Sequence, residues 1–215
     1  MKKIVLLIVM FVMAWGVMQA QENTSLGYKP QSYYTFSWNN TFPLGDFNTW
    51  VSKPSMAGFD FGGRYLLMKG LTVGFNVSWQ RVSKDYDAET YTIPEKGIAI
   101  TAENYRFSWM APFQVVVAYH FIPDKLVSPY IGLGIGGDYM EHHLLVQEYD
   151  IYEDQWDFSL SPEVGALVKF GNFANWGALV AFNYKWTTNK IELYQTDFKN
   201  LSMLNLKVGI AYILR

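Results

Sequence analysis

Charged side chains recur at positions where a β-strand would turn them away from an apolar face. In several alternating segments, apolar residues occupy one phase and these charges occupy the other. An unpaired charge is costly away from water, so charges of both signs at similar depth predict ion pairs inside a closed structure. Glu163 and Lys185 fall on consecutive segments and form the expected pair. The predicted polar network consists of Asp60, Arg64, Asp138, Glu163, Lys185 and Lys207.

The chemistry of this network depends on whether its charges balance. A proton or ion path, or a gate, is one interpretation, and a salt-bridged plug is the other. An interior only wide enough for side chains, together with near balance of charge, favours the plug. The inward-phase charges are Arg64, Arg106, Lys169, Lys185 and Lys207 against Asp60, Asp138, Asp157 and Glu163.

A second candidate is the run Glu141-His142-His143. Such side chains can bind zinc, but His120, the third histidine, falls at the opposite end of the predicted sheet. The run is therefore interpreted as an exposed loop tip. Asp138 and His142 with a loop serine or threonine would suit an enzyme acting on lipid, which needs a nucleophile, a base and an orienting group together. No motif fixes such a trio, so we assign no catalytic, cofactor or metal residue and expect a non-enzymatic protein.

The elements that carry these residues have a period of two. Eight stretches alternate apolar with small or polar residues, which is typical of strands with one apolar face. The clearest is Leu71-Val73-Phe75-Val77-Trp79, interleaved with Thr72-Gly74-Asn76-Ser78-Gln80. No segment has a convincing helical pattern, and ten strands is the alternative count. The predicted strands cover about residues 31–42, 55–67, 71–80, 105–121, 130–140, 156–170, 177–188 and 204–214.

The composition indicates which way the apolar phase points. Of the 215 residues, 50% are hydrophobic, 18% are aromatic and only 17% are charged, with no cysteine and a net charge of -2. These values argue against disorder, a disulfide scaffold and nucleic-acid binding. Apolar side chains that face lipid explain the shortage of charge, although a soluble lipocalin-like barrel with its apolar phase inside is an alternative. The predicted lipid-facing residues include Phe75, Val77, Val115, Val117, Leu206, Val208 and Ile210.

The connections between the predicted strands alternate between short and long. This is the plan of an outer-membrane barrel, with short periplasmic turns and long extracellular loops. The second and third long connections are rich in acidic residues, which we interpret as solvated loops. The sequence thus predicts an all-β, eight-stranded, antiparallel up-and-down transmembrane β-barrel. Its four long loops are predicted at about residues 43–54, 83–103, 141–155 and 189–200.

The start of the chain has the layout of a secretory signal peptide. Two lysines precede an apolar run over residues 4–15, and small residues such as Gly16 and Ala20 follow. The run is shorter than the roughly 20 residues that a membrane-spanning helix needs. We expect cleavage after Ala20, with Gly16 as the alternative site. The predicted organisation is a signal peptide over residues 1–20 and one domain over residues 21–215.

The alternating strands and the final segment Val208-Gly209-Ile210-Ala211-Tyr212-Ile213-Leu214-Arg215 resemble the small outer-membrane β-barrels of Gram-negative bacteria, of the OmpA/OmpX and opacity-protein types, including those of the Bacteroidetes. The resemblance implies an outer-membrane location, lipid or lipopolysaccharide around the barrel, and insertion by the barrel-assembly machinery. It implies no single activity, because such barrels serve as adhesins, evasion factors, channels or enzymes. We expect a monomer with an envelope-structural or surface-interaction role. A small pore and a lipid-modifying enzyme are the alternatives.

Overall fold

The computed structural model describes residues 32–93, 98–147, 149–171, 174–193 and 197–214. The predicted signal peptide lies outside these ranges. In the part of the chain that is described, no helix is long and apolar enough to cross a membrane.

Eight long strands close into one antiparallel barrel. Each pairs with the next along the chain, and the first pairs with the last, so the ring has no free edge. A separate two-stranded hairpin accounts for the other two strands. The eight-stranded fold is therefore confirmed. The barrel strands are β1 (Ser32–Leu44), β2 (Ala57–Met68), β3 (Leu71–Ile93), β4 (Ile98–His120), β5 (Val127–Val146), β6 (Tyr149–Lys169), β7 (Trp176–Thr187) and β10 (Ser202–Leu214); the hairpin is β8 (Lys190–Ile191) and β9 (Phe198–Lys199).

The period of two arises because successive side chains point to opposite sides of the barrel wall. Along β1, for example, Tyr33, Thr35 and Ser37 are buried, whereas Phe36 and Trp38 are more than half exposed. A wall that is apolar outside and closed on itself is the arrangement that a bilayer permits for strands. The protein is a transmembrane barrel, which rules out the soluble alternative with its apolar phase inside.

Four strands continue well past the lengths that the sequence predicted. β3 and β4 each have 23 residues, β5 has 20 and β6 has 21. Most of the residues assigned to loops at 83–103 and 141–155 are therefore strand, and this part of the prediction is wrong. The alternation was missed because its polarity largely reverses above the bilayer: β5 turns Met140 and Leu144 inward and Glu141 outward, opposite to its membrane-spanning part.

The other two long connections also contain regular structure. The first, predicted at 43–54, begins with the end of β1 and continues into a short helix, α1 (Gly45–Trp50). The fourth, predicted at 189–200, contains the β8–β9 hairpin. Six residues are too few for a hydropathy period to reveal a helix, so α1 escaped prediction.

The interior changes character along the barrel axis. In the half nearer the short turns it is mainly polar around mid-barrel, as predicted, although two small apolar clusters, which include Leu167 with Ile213 and Tyr130 with Leu179, lie next to the turns. Towards the long hairpins the inward phase becomes apolar and packs against α1. The sequence did not predict this apolar part of the lumen. About half of the core residues at this end lie on barrel strands, in the phase that the period-two pattern also places inside. The core consists of Phe47, Trp50, Val51, Val82, Met110, Met140, Leu144, Val146, Ile191, Leu193, Leu201 and Met203.

Candidate functional sites in the lumen

The centre of the polar half is an ion triad. The Lys207 ammonium lies 3.0 Å from the Asp60 carboxylate and 3.0 Å from that of Glu163. Lys207 is on β10, Asp60 is on β2 and Glu163 is on β6. Each partner is therefore two strands away from β10, in opposite directions around the ring. Two hydroxyls complete the site: Tyr130 donates to Glu163 at 2.7 Å and Ser78 donates to Asp60 at 2.6 Å.

A second ion pair lies nearer the long hairpins. Lys185 on β7 donates to Asp138 on β5 at 2.7 Å, and both side chains are almost fully buried. The predicted pair of Glu163 with Lys185 is therefore wrong. The register explains the difference: Glu163 faces Asn183 directly, which places Lys185 two residues further along β7.

Arg64 has backbone partners in the structure. Its guanidinium donates to the carbonyl of Phe75 at 2.7 Å and to that of Gly63 at 3.1 Å. Together with the triad it lines an internal cavity of about 10 Å³, which is at the lower limit for one water molecule. Little space therefore remains beside the triad.

The apolar half contains a chain of hydrogen bonds, which we call the mouth relay. Trp50 Nε1 donates to Ser108 Oγ at 3.0 Å, and Ser108 Oγ lies 2.7 Å from His142 Nδ1. His142 Nε2 lies 2.7 Å from Asn189 Oδ1, and Asn189 Nδ2 donates to Asp157 at 2.8 Å.

The direction of the mouth relay follows from which groups can donate. An indole only donates and an amide oxygen only accepts. Ser108 therefore accepts a hydrogen bond from Trp50, and its hydroxyl can donate one to Nδ1 of His142. Nε2 of His142 then carries the hydrogen that Asn189 Oδ1 accepts, so the relay is satisfied by a neutral imidazole with its hydrogen on Nε2.

Burial keeps this imidazole neutral. The outward neighbours Glu141 and His143 are polar, which places His142 beyond the lipid-facing part of β5. Burial lowers the pKa of His142 to about 4, mainly because the charged form would lose its hydration, although the Asn189 hydrogen bond opposes this shift.

The histidine run is not the exposed tip that the sequence suggested. His142 points inward and is fully buried, whereas His143 lies outside, 3.0 Å from Asp150. Among the residues that the structure describes, no three potential ligands gather as a metal site. The imagined enzyme trio is not assembled either, because Asp138 pairs with Lys185 while His142 contacts Ser108.

Sequence reasoning singled out His142 but missed its partner Ser108, which a register could have supplied. Ser108 and His142 are direct cross-strand partners on β4 and β5 and share the inward phase. Trp50 and Asn189 lie in connections between barrel strands, where no periodic pattern could predict that their side chains enter the barrel.

The outer wall shows where the bilayer lies. Along β5 the outward residues run from Ile131, Leu133 and Ile135 to Tyr139 and then to the charged Glu141. The stretch from Ile131 to Tyr139 matches the 9–11 residues with which a tilted strand crosses a bilayer. The fold is that of a small outer-membrane β-barrel. Aromatic side chains border its apolar belt at both ends, among them Tyr119, Phe121, Trp176 and Tyr212 near the short turns, and Trp79, Trp109, Tyr139 and Trp156 near the long hairpins.

The residues predicted to face lipid all lie on the outer side of this barrel. Val115, Val117, Val208 and Ile210 are 46–61% exposed. Phe75, Val77 and Leu206 share the outward phase and are partly covered by their neighbours.

Known structures similar to this barrel include small outer-membrane proteins. The attachment invasion locus protein Ail of Yersinia pestis, in complex with the heparin analogue sucrose octasulfate, is 12% identical, with a TM-score of 0.47 over 86% of this chain and 99% of that one. Neisserial surface protein A is 13% identical, with a TM-score of 0.46 over 85% and 96%. A major outer membrane protein of Thermus thermophilus is 12% identical, with a TM-score of 0.49 over 86% and 99%. No family model and no curated protein matches the chain.

Proposed function

We propose that the barrel is a non-conducting, non-enzymatic protein of the outer membrane that acts at the cell surface. The observation that carries this proposal is the set of buried ion pairs across the lumen. Lys207 bridges Asp60 and Glu163 beside a cavity with space for about one water molecule, and Lys185 is paired with Asp138 above it. Breaking a buried ion pair leaves an uncompensated charge, so a continuous ion path would be costly to open.

The strand extensions supply the surface through which the protein would act. Beyond Tyr139, β5 continues for seven residues, which corresponds to roughly 20 Å of strand above the bilayer. On its outer side, the rings of Phe107, His143 and Tyr152 stack, with centroids 4.3 Å and 5.5 Å apart. A rigid, partly exposed aromatic tier on a projecting sheet supports a role in contact with other envelope components.

The location and surroundings follow from the same proposal. Short turns would face the periplasm, and the long hairpins the outside. Lipid and lipopolysaccharide would surround the belt, the barrel-assembly machinery would insert it, and the closed ring would serve as a monomer. A signal peptide over residues 1–20 would direct the chain there.

Planar-bilayer recording of the refolded protein tests the closed lumen. We expect no steady single-channel current in wild-type protein, while a general porin reconstituted under the same conditions conducts. Steady currents that scale with the amount of protein inserted would contradict the proposal and favour the pore alternative.

Shortening the β5–β6 hairpin tests the surface role. Replacing residues 141–154 by a tight turn leaves the lipid-facing part of both strands in place, so the barrel should still insert. Cells with this variant should match a deletion strain in adhesion and envelope-integrity assays. Full restoration of the wild-type phenotype by the shortened protein would show that the extension has no role.

Equal lipid A profiles in the wild-type and deletion strains are expected for a protein that is not a lipid-modifying enzyme.

A further inference from the structure

The end of the barrel at the long hairpins contains a chamber that α1 fills. We call it the mouth chamber and define its wall as Val82, Met110, Met140, Leu144 and Met203, with the mouth relay along one side. Phe47, Trp50 and Val51 occupy it, and none of the three is exposed. Three of the five wall residues are methionines, and methionine is the apolar side chain that adapts most readily to differently shaped partners.

The occupant of the chamber shows what chemistry the wall accepts. The Trp50 ring meets the His142 ring edge-on at 6.4 Å, and Phe47 does so at the same distance. The indole N–H of Trp50 donates to Ser108, whose hydroxyl in turn donates a hydrogen bond to His142. The wall thus accommodates an aromatic body and receives one hydrogen-bond donor.

The segment that fills the chamber is held by side-chain contacts rather than by its own backbone. α1 has six residues and no side-chain cap at its N-terminus, and isolated helices shorter than about 12 residues are marginal in water. At the rim, Tyr86 donates to the carbonyls of Thr49 and Trp50 at 3.2 Å and 2.9 Å, Arg106 lies 5.2 Å from the Trp50 ring, and Lys84 donates to Ser52.

Ion pairs in the lumen close the inner end of the chamber. Below it, Lys185 and Asp138 are paired, and the triad of Lys207 fills the lumen further down. Outward movement of α1 would therefore open a cup towards the long hairpins without opening a channel.

We propose that the mouth chamber is a binding site for a small aromatic molecule with one hydrogen-bond donor. α1 occupies this site in the absence of the ligand and competes with it. The ligand enters where Trp50 now lies and donates to Ser108, while α1 moves to the rim. The affinity measured for wild-type protein is reduced by the small fraction of molecules in which α1 is displaced. Removing the Trp50 side chain removes the competitor and strengthens binding.

Indole is a suitable probe, because it reproduces the side chain of Trp50, and 1-methylindole is its matched control, because it lacks the N–H. The full-length mature barrel is placed in lipid nanodiscs with ¹⁵N-labelled tryptophan. The indole resonance of Trp50 is assigned through Trp50→Phe, and both compounds are titrated into wild-type protein, Trp50→Ala and the control Trp176→Ala, which removes an exposed tryptophan at the belt.

In wild-type protein, indole should shift the Trp50 resonance saturably towards that of a solvent-exposed indole. Trp50→Ala should bind indole about tenfold more tightly than wild-type protein, and Trp176→Ala should bind like wild-type protein. In Trp50→Ala, 1-methylindole should bind several-fold more weakly than indole. Ser108→Ala in the same background should abolish this preference.

Two results would overturn the proposal. If wild-type Trp50 does not respond to indole up to its solubility limit, α1 is permanent core and only the substitution creates the site. If indole and 1-methylindole bind Trp50→Ala equally, the relay does not recognise a donor, and this comparison does not require the Ser108 variant to fold. Conductance is measured separately, so the cup and the closed lumen can fail independently.

Discussion

Lys185 and Asp138 form a buried ion pair across an intervening strand. The Nζ–Oδ2 distance is 2.7 Å, although β6 separates the two strands that carry them. Lys185 therefore reaches past β6 to a carboxylate two strands away, while Glu163 on β6 pairs with Lys207. Charges on consecutive strands thus take partners that a strand-by-strand reading does not suggest.

A double-mutant cycle tests this pairing. Lys185→Met should destabilise the barrel by about 3–5 kcal/mol, because Asp138 is left buried without its partner. Asp138→Asn should restore part of the loss, whereas Glu163→Gln in the same background should not. The free energy of unfolding in lipid vesicles, measured by denaturant titration, gives the coupling. Equal recovery with both partners would mean that Lys185 is shared between the two carboxylates.

Placing a charge on the outer wall tests the assignment of the lipid face. Val208 lies on the belt and is 47% exposed to the surroundings of the barrel. Val208→Arg should cost about 2–4 kcal/mol near mid-depth, since hydrocarbon cannot solvate the guanidinium. Val208→Leu is the matched control and should be nearly neutral. Refolding yield and unfolding midpoints in vesicles are the measurements, and an unchanged midpoint for the arginine variant would place this position outside the bilayer.

Gly209, the next residue along β10, should also resist substitution, but for a steric reason. A Cβ there would lie 2.2 Å from the backbone oxygen of Phe36 and 2.4 Å from the Cα of Ser37, on the strand that closes the ring. Gly209→Ala should therefore lower refolding yield and stability. At Gly137 the nearest atoms to a Cβ are 3.5 Å away or further, so Gly137→Ala should be tolerated. Similar losses for both substitutions would show that crowding of the β1–β10 seam is not the cause.

The mouth relay should make stability depend on pH. The pKa of His142 is about 4 in the folded barrel and 6.5 when solvated, so the unfolded chain binds this proton first as the pH falls. Stability should therefore decrease between about pH 6.5 and pH 4, and this contribution should level off below pH 4. The shift corresponds to about 3 kcal/mol.

His142→Gln removes this titration and isolates it from the carboxylates. The difference in unfolding free energy between about pH 7.5 and pH 4.5, which bracket most of the titration, should be smaller in the variant than in wild-type protein. The same difference in both proteins would show that His142 does not remain neutral when folded.

The sequence by itself determined the number of barrel strands, their phase and the face that meets lipid. It could do so because lipid and lumen impose opposite polarities on alternating residues, so Val115 and Gln114 are assigned to opposite sides by pattern alone. The same logic placed Asp60, Glu163 and Lys207 in the interior. It failed above the bilayer, where the polarity of the alternation largely reverses, with Met140 and Leu144 inward and Glu141 outward, so β3 to β6 continue unnoticed.

Only the tertiary structure decided which interior groups meet. Pairing depends on the register of strands around the ring, and register separates Lys185 from Glu163 while it brings Ser108 beside His142. The position of α1 depends on a long-range contact, since Trp50 reaches Ser108 across 58 positions of sequence. Contacts between a connection and the barrel wall follow no local period. They form only when the closed ring brings residues that are distant in sequence together.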